Sequence, residues 1–421
     1  MSRGTKILIG VVVLLLVAAT SLGTGVAIGV FASGGFGPSV ARDGEPEQFG
    51  VFWEAWDIVQ RNFVDRAALD PTSLTYGAIR GMISALGDEG HTAFLTSEER
   101  SRQQSDLAGT FFGIGATLGI RDQLPVIIAP FDGSPAEQAG VRAGDIIMRV
   151  DGEDVTTLPL NEIVSKIRGP EGTTVVLSLL RPDETRSLEV SIVRGEIRVP
   201  AATWAMVPGT TVALVRLSQF TANAAPNVIA SLKEARAAGA TALIVDVRNN
   251  PGGLLEQAVR VTSQFLSSGN VLLEEDANGN RRAYAVERGG VGTDLPLVVL
   301  INGGSASSSE IFAGAVQDYA RGQLVGSTTF GTGTVLQPYN LSDGSALLLG
   351  TRQWLTPEGR LIRKQGITPD FEVTLPIETE LVTPETLRRL SAEEVRETPD
   401  RQFLKALALL DPSFEGLVNE E

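Results

Sequence analysis

The sequence predicts a multidomain chain of the α+β kind, with an N-terminal transmembrane helix, a small helical region, a β unit and an α/β domain. Three observations carry this. A charge-free apolar stretch opens the chain at Ile7 to Ala32, and apolar residues then recur at helical spacing between Phe52 and Leu86. From Thr211 onward, short apolar strands alternate with helices, the pattern of an α/β domain with a largely parallel sheet.

With 421 residues, 43% of them hydrophobic, the chain can bury a sizeable core and divide into two or three domains. It has no cysteine, which excludes disulfides, thiolate metal sites and cysteine catalysis. The formal charge is −15, and every acid follows the apolar opening segment. Such a surface repels nucleic acid and anionic lipid, so nucleic-acid binding is set aside. No grouping of residues points to a metal or a cofactor.

Ile7 to Ala32 is preceded by Arg3 and Lys6. At about 1.5 Å per helical residue it exceeds a bilayer core of about 30 Å. The competing reading is a cleaved signal peptide, but a signal core runs to only about 7–15 residues. The segment 1–33 therefore reads as an uncleaved anchor, and the upstream bases place the bulk of the chain outside the cell membrane as a single-pass protein. Residues 34–47, rich in Gly, Pro and charge, suit a linker. Within 48–106, Phe52, Trp56, Val59 and Phe63 fall on one helical face, as do Ile79, Met82, Ile83 and Leu86 on another.

Residues 107–196 contain FFGIGATLGI, then VIIAPFDGSPAEQAGVRAGDIIMRVDGEDV, then LNEIVSKIRGPEGTTVVLSLLR. In its order of strands, turn and helix this stretch resembles a PDZ domain. The resemblance implies that the glycine-rich turn Phe112, Gly113, Ile114 and Gly115 offers backbone N–H groups to the terminal carboxylate of a peptide, while a strand edge pairs with its extended chain.

The α/β domain, 197–377, starts its strands at Val212 to Leu217 and Ala242 to Val247, with a helix around Ala225 to Ala237 between them. The second strand runs into DVRNNPGG, Asp246 to Gly253, where glycines permit close backbone approach to a bound group. Another apolar run, Leu295 to Ile301, leads into NGGSASSSEIF, which sets several hydroxyls at the start of a helix. Free N–H groups and the helix dipole there can stabilise an oxyanion, although serines in such places also serve as caps. A glycine-rich loop follows at Gly331 to Gly333, and the acidic segment 378–421 carries an apolar stripe of Phe403, Leu404, Leu407 and Leu410 suited to docking on a core.

Together, DVRNNPGG, the serine turn, the glycine loop and WLTPEGRLIRKQGITPDFEV resemble the carboxyl-terminal processing, or tail-specific, serine peptidases. The resemblance implies Ser307 as nucleophile and an oxyanion hole from Gly252 or Gly253 with Ser308. Its usual pattern has a lysine base within the glycine loop and a supporting glutamine four residues on. This chain has Thr332 and Leu336 at those positions, with Gln337 one place beyond. Threonine cannot accept the serine proton. Of the five lysines, only Lys364 falls among the core strands of the α/β domain, and it is the candidate substitute base. The single histidine, His91 in GDEGHTAFL, reads as structural, since related peptidases carry a similar stretch in a helical N-terminal region. Two functions follow. One is a membrane-anchored serine peptidase that captures unfolded C-terminal tails through its PDZ unit and cuts slowly or with another base. The other is a pseudopeptidase that binds tails without cutting them.

Overall fold

The computed structural model describes residues 46–417 apart from 47, 89–90, 122, 132, 182–183, 185 and 377. The expected membrane span 7–32 lies outside these residues, and among the described residues no helix is long and apolar enough to cross a membrane. The chain divides into two compact units, up to Gly77 and from Ala78. In the first, the expected amphipathic helix forms at Phe49–Asn62 and buries none of its residues. Its aromatic rings pack on one another, Phe52 against Trp53 edge-on at 5.2 Å. A second helix, Pro71–Ser84, runs across the division.

The second unit is organised by a six-stranded sheet in the spatial order Ala202–Met206, Val212–Leu217, Ala242–Asp246, Leu297–Ile301, Gln323–Gly326 and Phe371–Glu372. All its pairings are parallel except the first. Its central strands are buried at every residue, as a parallel sheet covered on both faces requires. Val215, Val245 and Val299 pack on one side with Phe312 and Leu232 from two helices. Leu214, Ile244 and Leu300 pack on the other with Phe403, Leu404 and Leu407, so the apolar stripe of the C-terminal segment docks on the core as its spacing predicts.

A buried ion cluster fastens that C-terminal segment to the strand ends. Arg248 donates through Nε and Nη2 to Asp246 at 3.0 and 2.9 Å, and through Nη1 to Asp400 at 2.9 Å. Asp400 also caps the helix Arg401–Leu410 by accepting from Phe403 N–H at 3.0 Å. Burial opposes the charge on Arg248, but Asp246 and Asp400 outweigh it and hold the guanidinium above its usual range.

A second sheet places Ala346–Leu355 between Thr334–Asn340 and Asn270–Glu275. Its edge strand is Ala93–Leu95, which pairs antiparallel with the far end of Ala346–Leu355. The region 48–106 is therefore not wholly helical: one short strand from it joins the sheet that carries the glycine loop. The PDZ-like unit forms its own six-stranded sheet with Thr174–Leu180 and Leu188–Val193 at one side and Ala116–Arg121 at the other. The chain enters and leaves this unit through a two-stranded ladder of Thr110–Gly113 with Gly195–Arg198.

Removing Asp400 leaves Arg248 paired with Asp246 but takes away the buried acceptor of Nη1 and the cap of the helix Arg401–Leu410, losses of about 1.5–3 and about 0.5–2 kcal/mol. Asp400→Ala is expected to destabilise the second unit by about the sum of these in urea unfolding. A change below about 1 kcal/mol would mean that the C-terminal helix is not held by this cluster.

Candidate active site

The turns after Ala242–Asp246 and Leu297–Ile301 lie side by side because the two strands pair in register, Asp246 opposite Leu300. Open parallel sheets place ligands in the crevice outside such strand ends. Side chains stitch the turns together. Asn249 N–H donates to Asn302 Oδ1 at 2.9 Å, and Asn302 Nδ2 donates back to Asn249 Oδ1 at 2.8 Å. Ser305, Ser308 and Ser309 each donate a hydroxyl to a carbonyl of the facing turn, at Val247, Gly253 and Asn250. These three serines are thus structural.

Ser307 differs from them. It is half-buried and heads the helix Ser308–Asp318 with φ +53° and ψ −113°, a conformation that costs a non-glycine residue about 1–3 kcal/mol. Gly252 is packed against it so closely that a Cβ there would fall 2.7 Å from Ser307 Cβ and 2.9 Å from Ser308 N. Gly252 N–H donates to Asn250 Oδ1 at 2.9 Å. Its neighbour Gly253 bridges to Phe220, where Phe220 N–H reaches Gly252 O and Leu254 N–H reaches Phe220 O, so the N–H of Gly253 takes no part in the bridge. Among the described residues, neither that N–H nor the N–H of Ser308 has an acceptor. Of the two glycines, Gly252 is engaged and Gly253 is the one with a donor to give.

The floor of the site is Glu310, a fully buried carboxylate. It accepts from Ser307 N–H at 2.9 Å, Thr329 Oγ1 at 2.6 Å, Gly331 N–H at 2.6 Å, Thr332 N–H at 3.0 Å and Thr332 Oγ1 at 2.6 Å. Thr332 Oγ1 also accepts from Ser307 N–H at 2.7 Å. The glycine loop therefore reaches the serine turn, and its central side chain touches the Ser307 backbone.

Residues 211–373 match the model of peptidase family S41, and residues 126–181 match the PDZ domain. The carboxyl-terminal-processing protease of Synechocystis sp. is 36% identical over 361 residues, 84% of this chain and 81% of the relative. The chain belongs to the carboxyl-terminal processing peptidases. The carboxy-terminal processing protease CtpA of Bacillus subtilis is 33% identical over 330 residues, covering 78% of this chain and 70% of that one. The solved photosystem II D1 C-terminal processing protease aligns at 31% identity over 79% of this chain and 95% of its own, with a TM-score of 0.44.

Against the family pattern, Thr332 stands where the resemblance expects lysine, and its hydroxyl meets the Ser307 backbone N–H. Leu336 lies on Thr334–Asn340 opposite Gly350, at a register shift. Gln337 is exposed and, since strand neighbours face opposite ways, it does not replace the expected glutamine. Lys364 sits at φ +59° and donates its backbone N–H to Gly331 O at 2.7 Å, but its side chain is exposed. His91, which reads as structural, meets the strand that follows the glycine loop: Nδ1 is hydrogen-bonded with Thr334 Oγ1, two residues beyond Thr332. The signal available in the sequence was that the only imidazole in the chain lies in the short GDEGHT motif.

In the PDZ unit a cavity of about 160 Å³ is lined by Gly113, Ile114, Gly115, Leu118, Val164 and Ile167. The N–H groups of Ile114 and Gly115 find no acceptor among the described residues. Phe111 also lines the cavity, while Phe112 O accepts from Gly169 N–H at 3.4 Å.

Because φ at Gly252 is +98° and its Cβ space is already filled, Gly252→Ala is expected to destabilise the protein by about 1–3 kcal/mol and to displace the Ser307 turn. Urea unfolding measures the first. Unchanged stability would show that the two turns are not in close contact.

Proposed function

We propose that this chain is a membrane-anchored, extracytoplasmic peptidase that captures C-terminal tails in its PDZ unit and cleaves them with Ser307, more slowly than a lysine-based relative. The observation that carries the reading is the strained Ser307 flanked by two N–H donors, Gly253 and Ser308, that no described group accepts. Such a pair suits the oxygen of a tetrahedral intermediate, whose negative charge needs donors already in place. In the PDZ unit, the apolar cavity next to the N–H groups of Ile114 and Gly115 suits an apolar C-terminal side chain and its carboxylate. The anchor rests on Ile7 to Ala32 and its basic flank.

Slowed chemistry follows from Thr332. Its hydroxyl donates to Glu310 and accepts from Ser307 N–H, and it has no basicity with which to take the serine proton. The same observation favours the second reading, a tail-binding pseudopeptidase. Restoring the pattern separates the two. Thr332→Lys with Leu336→Gln is expected to raise cleavage of an unstructured reporter by at least about tenfold, and Ser307→Ala to abolish it in both backgrounds. Wild-type protein with no Ser307-dependent turnover at all would establish the pseudopeptidase. For the PDZ unit, calorimetry on the full chain is expected to detect a peptide with a free apolar C-terminus and to lose it on amidation. Equal binding of the acid and the amide would remove carboxylate capture from the account.

A further inference from the structure

We propose that the His91 imidazole takes the proton of Ser307 in this chain, in place of a loop lysine. The proposal rests on the serine-peptidase reading above. His91 belongs to a segment clamped to the glycine loop from two sides. Asp88 accepts from Arg363 Nη2 at 2.8 Å and from Thr92 Oγ1 at 2.7 Å, and Thr92 Oγ1 accepts from Gly350 N–H at 3.0 Å. The residue after Arg363, Lys364, holds Gly331 O by its backbone, while Gly350 lies on the strand paired with Thr334–Asn340. The strand pairing of Ala93 with Leu348 continues the clamp beyond Thr92.

The ring itself meets the start of Thr334–Asn340. In the tautomer that donates Nδ1–H to Thr334 Oγ1, which is the one the proposed role requires, the lone pair of the imidazole is on Nε2, and Nε2 has no partner among the described residues. The charges facing the ring are Asp88 on its own segment, Glu310 beneath the serine turn, and Arg363 across from it. Burial lowers the affinity of the ring for a proton and outweighs the attraction of Asp88 and Glu310, with Arg363 acting in the same sense as burial. The ring is therefore neutral near pH 7, as a base has to be. Lys364 is exposed and meets the glycine loop through its backbone N–H.

The step balances without any co-reactant beyond water. Ser307 Oγ bonds to the carbonyl carbon of the tail as its proton passes to His91 Nε2, directly or through one water. The C–N bond then breaks and the amine leaves with that proton. Water, deprotonated by the same nitrogen, attacks the acyl ester, and the proton returns to Ser307 Oγ.

The test uses the full chain, a fluorophosphonate that labels Ser307, and an unstructured reporter peptide. His91→Gln is expected to lower both the labelling rate and kcat by about a hundredfold or more with KM little changed. In the parent, kcat/KM is expected to fall as pH drops through a midpoint below the ordinary histidine range, and that limb should vanish in the variant. Adding Thr332→Lys and Leu336→Gln to His91→Gln is expected to restore turnover. If His91→Gln does not fold, Thr334→Val, which keeps the ring but removes the partner of Nδ1, is expected to lower kcat by about tenfold or more and to move the acidic limb. A His91→Gln protein, or failing that a Thr334→Val protein, that labels and turns over at the parental rate with the parental limb overturns the proposal. So does a loss found in Lys364→Ala instead. Parent protein that never labels at Ser307 removes the peptidase reading, and this role of His91 with it.

Discussion

The buried carboxylate of Glu310 is the constraint on which the rest of the site depends. An ionised carboxylate out of water is costly unless its lone pairs are filled, and here five donors from the serine turn and the glycine loop fill them. Two segments distant in sequence are thereby drawn onto one oxygen pair. The turn cannot relax from the strained conformation at Ser307 without giving up its share of these bonds. The strain is thus held by a charge, and the stitching by Asn249, Asn302 and the structural serines holds the facing turn at the same distance.

The same carboxylate explains what a threonine in the loop does to the electrostatics. Thr332 satisfies Glu310 as a neutral donor, so among the described residues the carboxylate is met by dipoles and not by a paired cation. That charge is felt by His91, whose proton it attracts. The loop is therefore well built to shape the site and poorly built to accept a proton. The chain's one imidazole stands at its edge, on Thr334.

The parallel sheet was legible because its strands are unbroken apolar runs. Val212–Leu217 forms as the pattern predicts, the Ala242 to Val247 run gives a strand one residue shorter, Ala242–Asp246, and the Leu295 to Ile301 run one two residues shorter, Leu297–Ile301. The helix stripe of Phe403, Leu404 and Leu407 was equally plain, since 3.6-residue periodicity needs no knowledge of the partner. What escaped depends on long-range pairing. The strand Ala93–Leu95 is three residues long and has no periodic signal, yet its register with Ala346–Leu355 brings His91 to the site. The tie between Arg248 and Asp400 spans most of the α/β domain. The choice between Gly252 and Gly253 turns on the Asn250 side chain.

Ser307, with Gly253 N–H and Ser308 N–H, is proposed here to form a working acyl-transfer site despite Thr332. A crystal structure of the full chain reacted with a peptidyl boronate tests it most directly. Expected are a bond from Ser307 Oγ to boron and a boronate oxygen about 2.7–3.1 Å from both N–H groups. Boron bound elsewhere, or an adduct oxygen turned away from both donors, would contradict it.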